Sequence, residues 1–102
     1  MEYKSGVNIK SWAEEDRPRE KLLTKGISAL TNAELIAILI GSGTQNESAV
    51  ELSRKILSSV DNNLNALGKM GIKELTGVKG IGPAKAISIV AALELGRRRK
   101  NA

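Results

Sequence analysis

Apolar residues recur along this chain at three- and four-residue intervals in a series of short bursts, the spacing of a helix face, and no run alternates long enough to make a strand. Asp16-Arg17-Pro18 reads as a helix start because proline suits the first helical turn. Leu22-Leu23 supply the apolar face and Gly26 a stop. The next start is better specified. Thr31 followed three residues later by Glu34 forms a capping box, and Leu30 and Leu35 take the two positions of a hydrophobic staple. That helix runs through Ile40 and ends at Gly41-Ser42-Gly43. After a loop through Asn46, Ala49, Leu52, Ile56 and Val60 fall at helical spacing, with Val50 and Leu57 beside them. The outer face of this segment carries Glu51, Arg54 and Lys55. Glu51 and Lys55, four apart, read as a helix-supporting pair worth about 0.3 kcal/mol, with no functional meaning. Asp61 is the expected cap of a further short helix through Leu64 and Leu67, closed by Gly68. A brief helix spans Ile72 to Thr76, and Pro83 opens a long one to about Arg98.

In that last helix Ala84, Ala86, Ile87, Ile89, Val90, Ala91, Leu93 and Leu95 surround most of the circumference, with Lys85 and Ser88 expected to mark a narrow exposed face. The expectation is a central helix, the most buried of the set. An approximate repeat is also visible. Ile40-Gly41-Ser42-Gly43 before one helix resembles Lys79-Gly80-Ile81-Gly82 before another, Gly41 and Gly80 being thirty-nine positions apart. Two related helix-loop-helix units, or chance similarity, account for it.

Composition narrows the chemistry. The chain has 102 residues, 41% hydrophobic and 26% charged, enough for one core without a disulfide or metal staple. It contains no cysteine and no histidine, which removes thiol nucleophiles, imidazole bases, Cys/His zinc sites and Ser-His-Asp arrangements. The expectation is therefore a protein that is not an enzyme. The longest apolar stretch, Leu35 to Ile40, is six residues, too short to cross a bilayer, and no signal-like segment opens the chain. A cytoplasmic protein with no membrane partner is expected. The formal net charge of +5 is unevenly placed: residues 1–60 hold eight Lys/Arg against eight Asp/Glu, and residues 61–102 hold eight against three. One-sided positive charge points to a polyanionic partner, nucleic acid first, or serves solubility alone.

Leu75-Thr76-Gly77-Val78-Lys79-Gly80-Ile81-Gly82-Pro83-Ala84-Lys85-Ala86 combines glycines, one branched apolar residue and a helix start. Gly80 and Gly82 are expected to take positive φ and let the backbone approach a ligand. Ile81 between them plugs the core. The amides from Ile81 to Lys85 are expected to face outward unpaired, at the positive end of the helix dipole where a phosphate oxygen is stabilised, with Lys79 and Lys85 on either side. A Walker loop does not fit, since no Gly-Lys-Ser/Thr follows, nor does a dinucleotide fingerprint, since no strand precedes the glycines. The alternative is a hairpin that merely joins two packed helices.

Gly-Val-Lys-Gly-Ile-Gly-Pro-Ala-Lys-Ala resembles the helix-hairpin-helix motif, of the RuvA domain 2 kind, with which polymerases, ligases and repair proteins hold DNA backbones. The resemblance implies DNA contact through Lys79, Gly80, Ile81, Gly82, Ala84 and Lys85. It also implies a monovalent cation, Na+ or K+, held at the hairpin by the carbonyls of Thr76, Val78 and Ile81. Upstream, Asp16-Arg17-Pro18-Arg19-Glu20-Lys21-Leu22, the stretch Leu30 to Leu39, and Gly41-Ser42-Gly43 resemble the amino-terminal domain of the bacterial RadC family. Nearly the whole chain is covered. That family is named for DNA repair and carries a following JAB/MPN-type metal domain, whose His-containing site has no counterpart here. Where the family has a longer or more basic tip, Gly41-Ser42-Gly43-Thr44-Gln45 is polar and uncharged.

The resulting expectation is an all-α fold, a small orthogonal bundle of five to six short helices with two helix-hairpin-helix units. Residues 1–15 form an extended arm, 16–98 the helix-hairpin-helix domain, and 99–102 the start of a linker. The expected function is non-sequence-specific binding of double-stranded or branched DNA in a repair-associated protein, without catalysis. The alternative is a module that docks on the family's own carboxy-terminal metal domain or on a repair partner. Arg17, Arg19 and Lys21 are offset by Glu14, Glu15, Asp16 and Glu20 and read as a solvated or internally paired face. Arg97 to Lys100 either touches phosphate or caps the negative end of the last helix. Trp12 reads as a core or docking residue, and the basic half holds no aromatic side chain for base stacking.

Overall fold

Three of the helices begin where a side chain satisfies an amide that a first turn leaves unpaired, and two begin at a glycine without such a cap. The computed structural model describes residues 17–101, so Tyr3, Trp12 and the expected arm over 1–15 lie outside the described residues. Helix α1 covers residues 17–25 and stops at Gly26, which stands at φ +89. A single 3-10 turn, Ile27–Ala29, leads to α2 (Asn32–Ile40). Thr31 Oγ1 accepts the Glu34 N–H at 3.2 Å while the Thr31 N–H donates to Glu34 Oε1 at 2.8 Å, the expected capping box.

Helix α3 (Ala49–Ser58) opens with a second capping box, in which Ser48 Oγ accepts from the Glu51 N–H and Glu51 Oε1 accepts from the Ser48 N–H. Helix α4 (Leu64–Gly68) is capped by Asn63, whose Oδ1 accepts the Ala66 N–H at 3.0 Å. This corrects the expectation for Asp61. Asp61 and Asn62 instead take left-handed φ of 52° and 59° and make the turn out of α3, with the Asn62 N–H donating back to the Leu57 carbonyl at 2.8 Å. Helix α5 (Ile72–Thr76) and α6 (Pro83–Lys100), with proline in its first turn, complete a fold that is all-helical among the described residues.

The core sits between α2, α3 and the first half of α6. Ala33, Ile36, Ala37 and Ile40 come from α2, Leu52, Ile56 and Leu57 from α3, and Ala86 and Ile89 from α6, closed by Leu67, Leu75 and Ile81. Here the expectation for the last helix is overturned. α6 buries only Ala86 and Ile89, while Ile87 and Leu95 are 52% and 68% exposed. The most deeply buried helix is α3, whose Ala49, Leu52, Ser53 and Ile56 have no exposed surface. Apolar residues all round a helix give no direction to its packing, and α6 lies on the bundle with one face, so Ile87, Ala91 and Leu95 make the exposed face while Lys85 and Ser88, expected there, are half-buried.

Candidate functional site

The segment from Gly77 to Lys85 folds as a tight turn followed at once by the start of α6. The Ile81 N–H donates to the Val78 carbonyl at 3.0 Å, and Gly80, third in that turn, stands at φ +97. Positive φ at the third position after a negative one is the mark of a type II turn, which is where glycine is required. Ile81 is 3% exposed and plugs the core, which holds the turn to the bundle. Lys79 is exposed, Lys85 half-buried, and Gly82 and Ala84 are exposed beside them.

Two expectations for this segment need correction. The Ile81 amide is not free, because closing the turn consumes it. Gly82 does not have positive φ; it is extended, at φ −89° and ψ −179°, with no atom within 4 Å of where a Cβ would stand. Of these two glycines, the steric demand falls on Gly80. A Cβ there would meet Leu52 Cδ2 at 2.7 Å and Thr44 Cγ2 at 3.3 Å. The amides of Gly80, Gly82, Ala84 and Lys85 have no hydrogen-bond acceptor among the described residues, and the last three open α6 at its positive end.

Thr44 belongs to the other glycine turn, so the two hairpins lie side by side. In the first, Gly41 ends α2 at φ +83, the Thr44 N–H donates to the Glu47 carbonyl at 2.8 Å, and Thr44 Oγ1 accepts the Asn46 and Glu47 amides. Most of its own donors are thus turned inward, the Ser42 and Gln45 amides excepted. Gly43 is fixed by contact, since a Cβ there would lie 2.0 Å from the Glu47 carbonyl oxygen. The internal repeat therefore has a structural counterpart in the positive φ of Gly41 and Gly80.

A neighbour that the sequence pattern did not single out links the hairpins. Lys55 is not paired with Glu51, whose carboxylate is committed to the Ser48 cap. The Lys55 ammonium bridges to Glu47 Oε1 at 3.0 Å and donates to the Lys79 carbonyl at 3.3 Å. A separation of twenty-four residues leaves no local sequence signal for that bond. The carbonyls of Thr76 and Ile81 accept no hydrogen bond among the described residues, and that of Val78 accepts one, from Ile81.

Elsewhere, three basic side chains are neutralised at short range. Lys21 bridges to Glu34 at 3.1 Å, a partner on α2 rather than one of the acids near it in sequence. The Glu34 carboxyl is held below its ordinary range, first by the Thr31 N–H it accepts and then by Lys21. Arg97 and Arg98 both reach Glu94 at 2.8 Å, and their hydrogen bonds bring its carboxyl down to about 2. The tail of α6 thus spends two of its cations on its own carboxylate. No helix among the described residues is long and apolar enough to cross a membrane, and they contain no group of three or more acidic side chains placed to hold a metal ion.

Comparison with known proteins places a family match over most of these elements. Residues 9–87 match the family described as UPF0758 N-terminal. A UPF0758 protein of Flavobacterium johnsoniae is 64% identical over 92 residues, covering 90% of this chain and 40% of that protein. Another, of Porphyromonas gingivalis, is 52% identical over 93 residues, covering 90% of this chain and 41% of its own length. A third, of Moorella thermoacetica, is 53% identical over 93 residues, with 91% and 40% covered. The chain therefore spans about two fifths of the length of the curated relatives it matches. No solved structure matches it.

Proposed function

The chain belongs to the UPF0758 family, the RadC-like family, and from the hairpin at Gly77–Lys85 we propose that it holds duplex or branched DNA by the backbone, without reading sequence and without catalysis. The observation that carries this reading is the set of amides at Gly80, Gly82, Ala84 and Lys85. They have no acceptor among the described residues, and they are flanked by the two lysines. A phosphate seated there meets backbone donors, the positive end of an eighteen-residue helix and one ammonium on either side. Gly82 then has a use that sterics within the chain do not supply: the open space where its Cβ would stand leaves room for a phosphate to come close. The carbonyls of Thr76, Val78 and Ile81 are hard oxygen donors, the chemistry that a Na+ or K+ ion takes, and we assign them the role of holding such an ion if one supports the turn. A place in DNA repair belongs to the same proposal.

The test is a duplex titration across salt. With two to four phosphates neutralised, log K is expected to fall against log salt with a slope of roughly −2 to −4. A flat salt dependence overturns the reading.

A second reading has its own observation. Ala84, Ile87, Ala91 and Leu95 form an exposed apolar stripe along α6, and such a stripe suits docking against protein, such as the remaining part of the longer relatives or a repair partner. Ile87→Ser together with Leu95→Ser separates the two. It is expected to leave duplex binding unchanged if DNA is the partner of the hairpin, and to abolish protein association if docking is the function.

A further inference from the structure

The bond between Lys55 and the second hairpin lies at the one peptide unit whose orientation matters most to a phosphate donor. A trans peptide sets its carbonyl and its N–H on opposite sides, and no peptide bond among the described residues is cis. The Lys79 carbonyl and the Gly80 N–H belong to the same unit. The Lys55 ammonium on α3 takes that carbonyl at 3.3 Å, so the Gly80 N–H is directed away from α3. It has no acceptor among the described residues.

The same unit is the middle peptide of the Val78–Ile81 turn. Rotating it by half a turn converts type II geometry into type I, in which the third residue has negative φ and the amide points the other way. Gly80 at φ +97 records which of the two is populated. Leu52 and Thr44 leave no room for a side chain at this position, and Lys55 adds a charged donor that only the type II arrangement can use. Lys55 is itself held by Glu47, whose backbone carbonyl closes the first hairpin onto Thr44. The charge of Lys55 is offset by that carboxylate, which leaves it a poor phosphate contact.

Resting on the DNA-backbone reading above, we propose that Lys55 is a positioning residue. Anchored on Glu47 of the first hairpin, it fixes the Lys79–Gly80 peptide so that the Gly80 N–H of the second hairpin faces a phosphate. A residue with this role changes affinity without changing the number of phosphates neutralised. Lysines that touch phosphate change both.

The experiment compares the full chain with Lys55→Met and Lys55→Arg, by NMR on the free protein and by duplex titration across salt. In Lys55→Met the residual dipolar coupling of the Gly80 N–H is expected to change. Duplex affinity should fall roughly three- to tenfold, the worth of one hydrogen bond, with the log K against log salt slope unchanged. Lys55→Arg, which keeps a charged donor, is expected to restore both. An unchanged Gly80 coupling in Lys55→Met overturns the proposal, as does a changed coupling with unchanged affinity or a slope that becomes shallower by about one unit. If the parent chain fails to bind duplex at low salt, the DNA reading itself falls. The Gly80 coupling then still decides whether Lys55 orients the peptide.

Discussion

Gly41 and Gly80 stand at φ +83 and +97, each beside a turn between two helices, yet the hairpins around them spend their polar groups in opposite ways. The first turns most of its donors on itself: the Thr44 amide goes to the Glu47 carbonyl, and the Asn46 and Glu47 amides go to Thr44 Oγ1. Its tip, residues 41–46, has no lysine or arginine of its own, and the cation beside it is Arg19 of α1, whose Nη2 lies 3.8 Å from where a Gly41 Cβ would stand. The second uses one amide, that of Ile81, to close its turn, and keeps those of Gly80, Gly82, Ala84 and Lys85 without acceptors among the described residues, between two lysines. A hairpin that mostly satisfies itself suits a support and one with more open amides suits a ligand, which fits the proposed roles of buttress and binding turn for these two positive-φ glycines.

Glycine substitutions break this comparison with the largest expected effects. Gly43→Ala puts a Cβ at 2.0 Å from a backbone oxygen of its own loop, which cannot yield without reopening the turn, and is expected to cost on the order of 3 kcal/mol or more. Gly80→Ala meets the end of the fully buried Leu52 and a threonine methyl, keeps a strained φ, and is expected to cost about 1 to 3 kcal/mol. Gly82→Ala has open space and an extended backbone and is expected to cost under about 1 kcal/mol of stability. Chemical denaturation of the three variants checks the order. Equal losses at Gly80 and Gly82 would show that the turn is not the one described.

The cations of the two ends of α6 sharpen the contrast further. Arg97 and Arg98 are already engaged by Glu94, whereas Lys79 has no carboxylate partner among the described residues. Arg97→Ala with Arg98→Ala is therefore expected to weaken duplex binding less than Lys79→Ala with Lys85→Ala, measured at one low salt concentration. The reverse order would move the contact surface to the end of α6.

The smallest expected effect is on pH dependence. The Glu94 carboxyl is lowered to about 2 by its hydrogen bonds to Arg97 and Arg98. A lowered carboxylate contributes stability that is present above its ordinary value near 4.5 and lost as the pH falls through about 2. The group is fully exposed, so the effect on global unfolding is expected to be slight and salt-sensitive. NMR titration of the Glu94 side chain checks it. A midpoint near 4.5 at low salt would show that the arginine contacts are not maintained in solution.

How far the sequence carried this picture depends on the range of the interaction concerned. The Thr31–Glu34 box, the stop at Gly41, the short helix Ile72–Thr76 and the proline start of α6 are local, and their residues lie within a turn of each other, so they were legible. The Ser48–Glu51 box is just as local, but Glu51 also stands four residues before Lys55, and sequence spacing alone does not choose between a cap and an ion pair. The orientation of α6 was not legible, since apolar residues occupy nearly its whole circumference and only the partners of a helix choose between its faces. Nor was the division of labour between Gly80 and Gly82: both are glycines in a turn, and it takes the positions of Leu52 and Thr44 to show which is constrained from within. Lys55 reaching the Lys79 carbonyl across twenty-four residues is a tertiary contact with no sequence period behind it.

The most direct test of the hairpin as a phosphate site is the salt dependence of duplex binding for the parent chain and for Lys79→Ala with Lys85→Ala. The parent is expected to bind with a Kd on the order of 10⁻⁴ to 10⁻⁶ M and a log K against log salt slope of roughly −2 to −4. The double variant is expected to bind all sequences more weakly, with a slope shallower by up to about two units. A double variant that binds duplex as tightly as the parent at low salt, with an unchanged slope, would contradict the phosphate site and leave the exposed stripe on α6 as the functional surface.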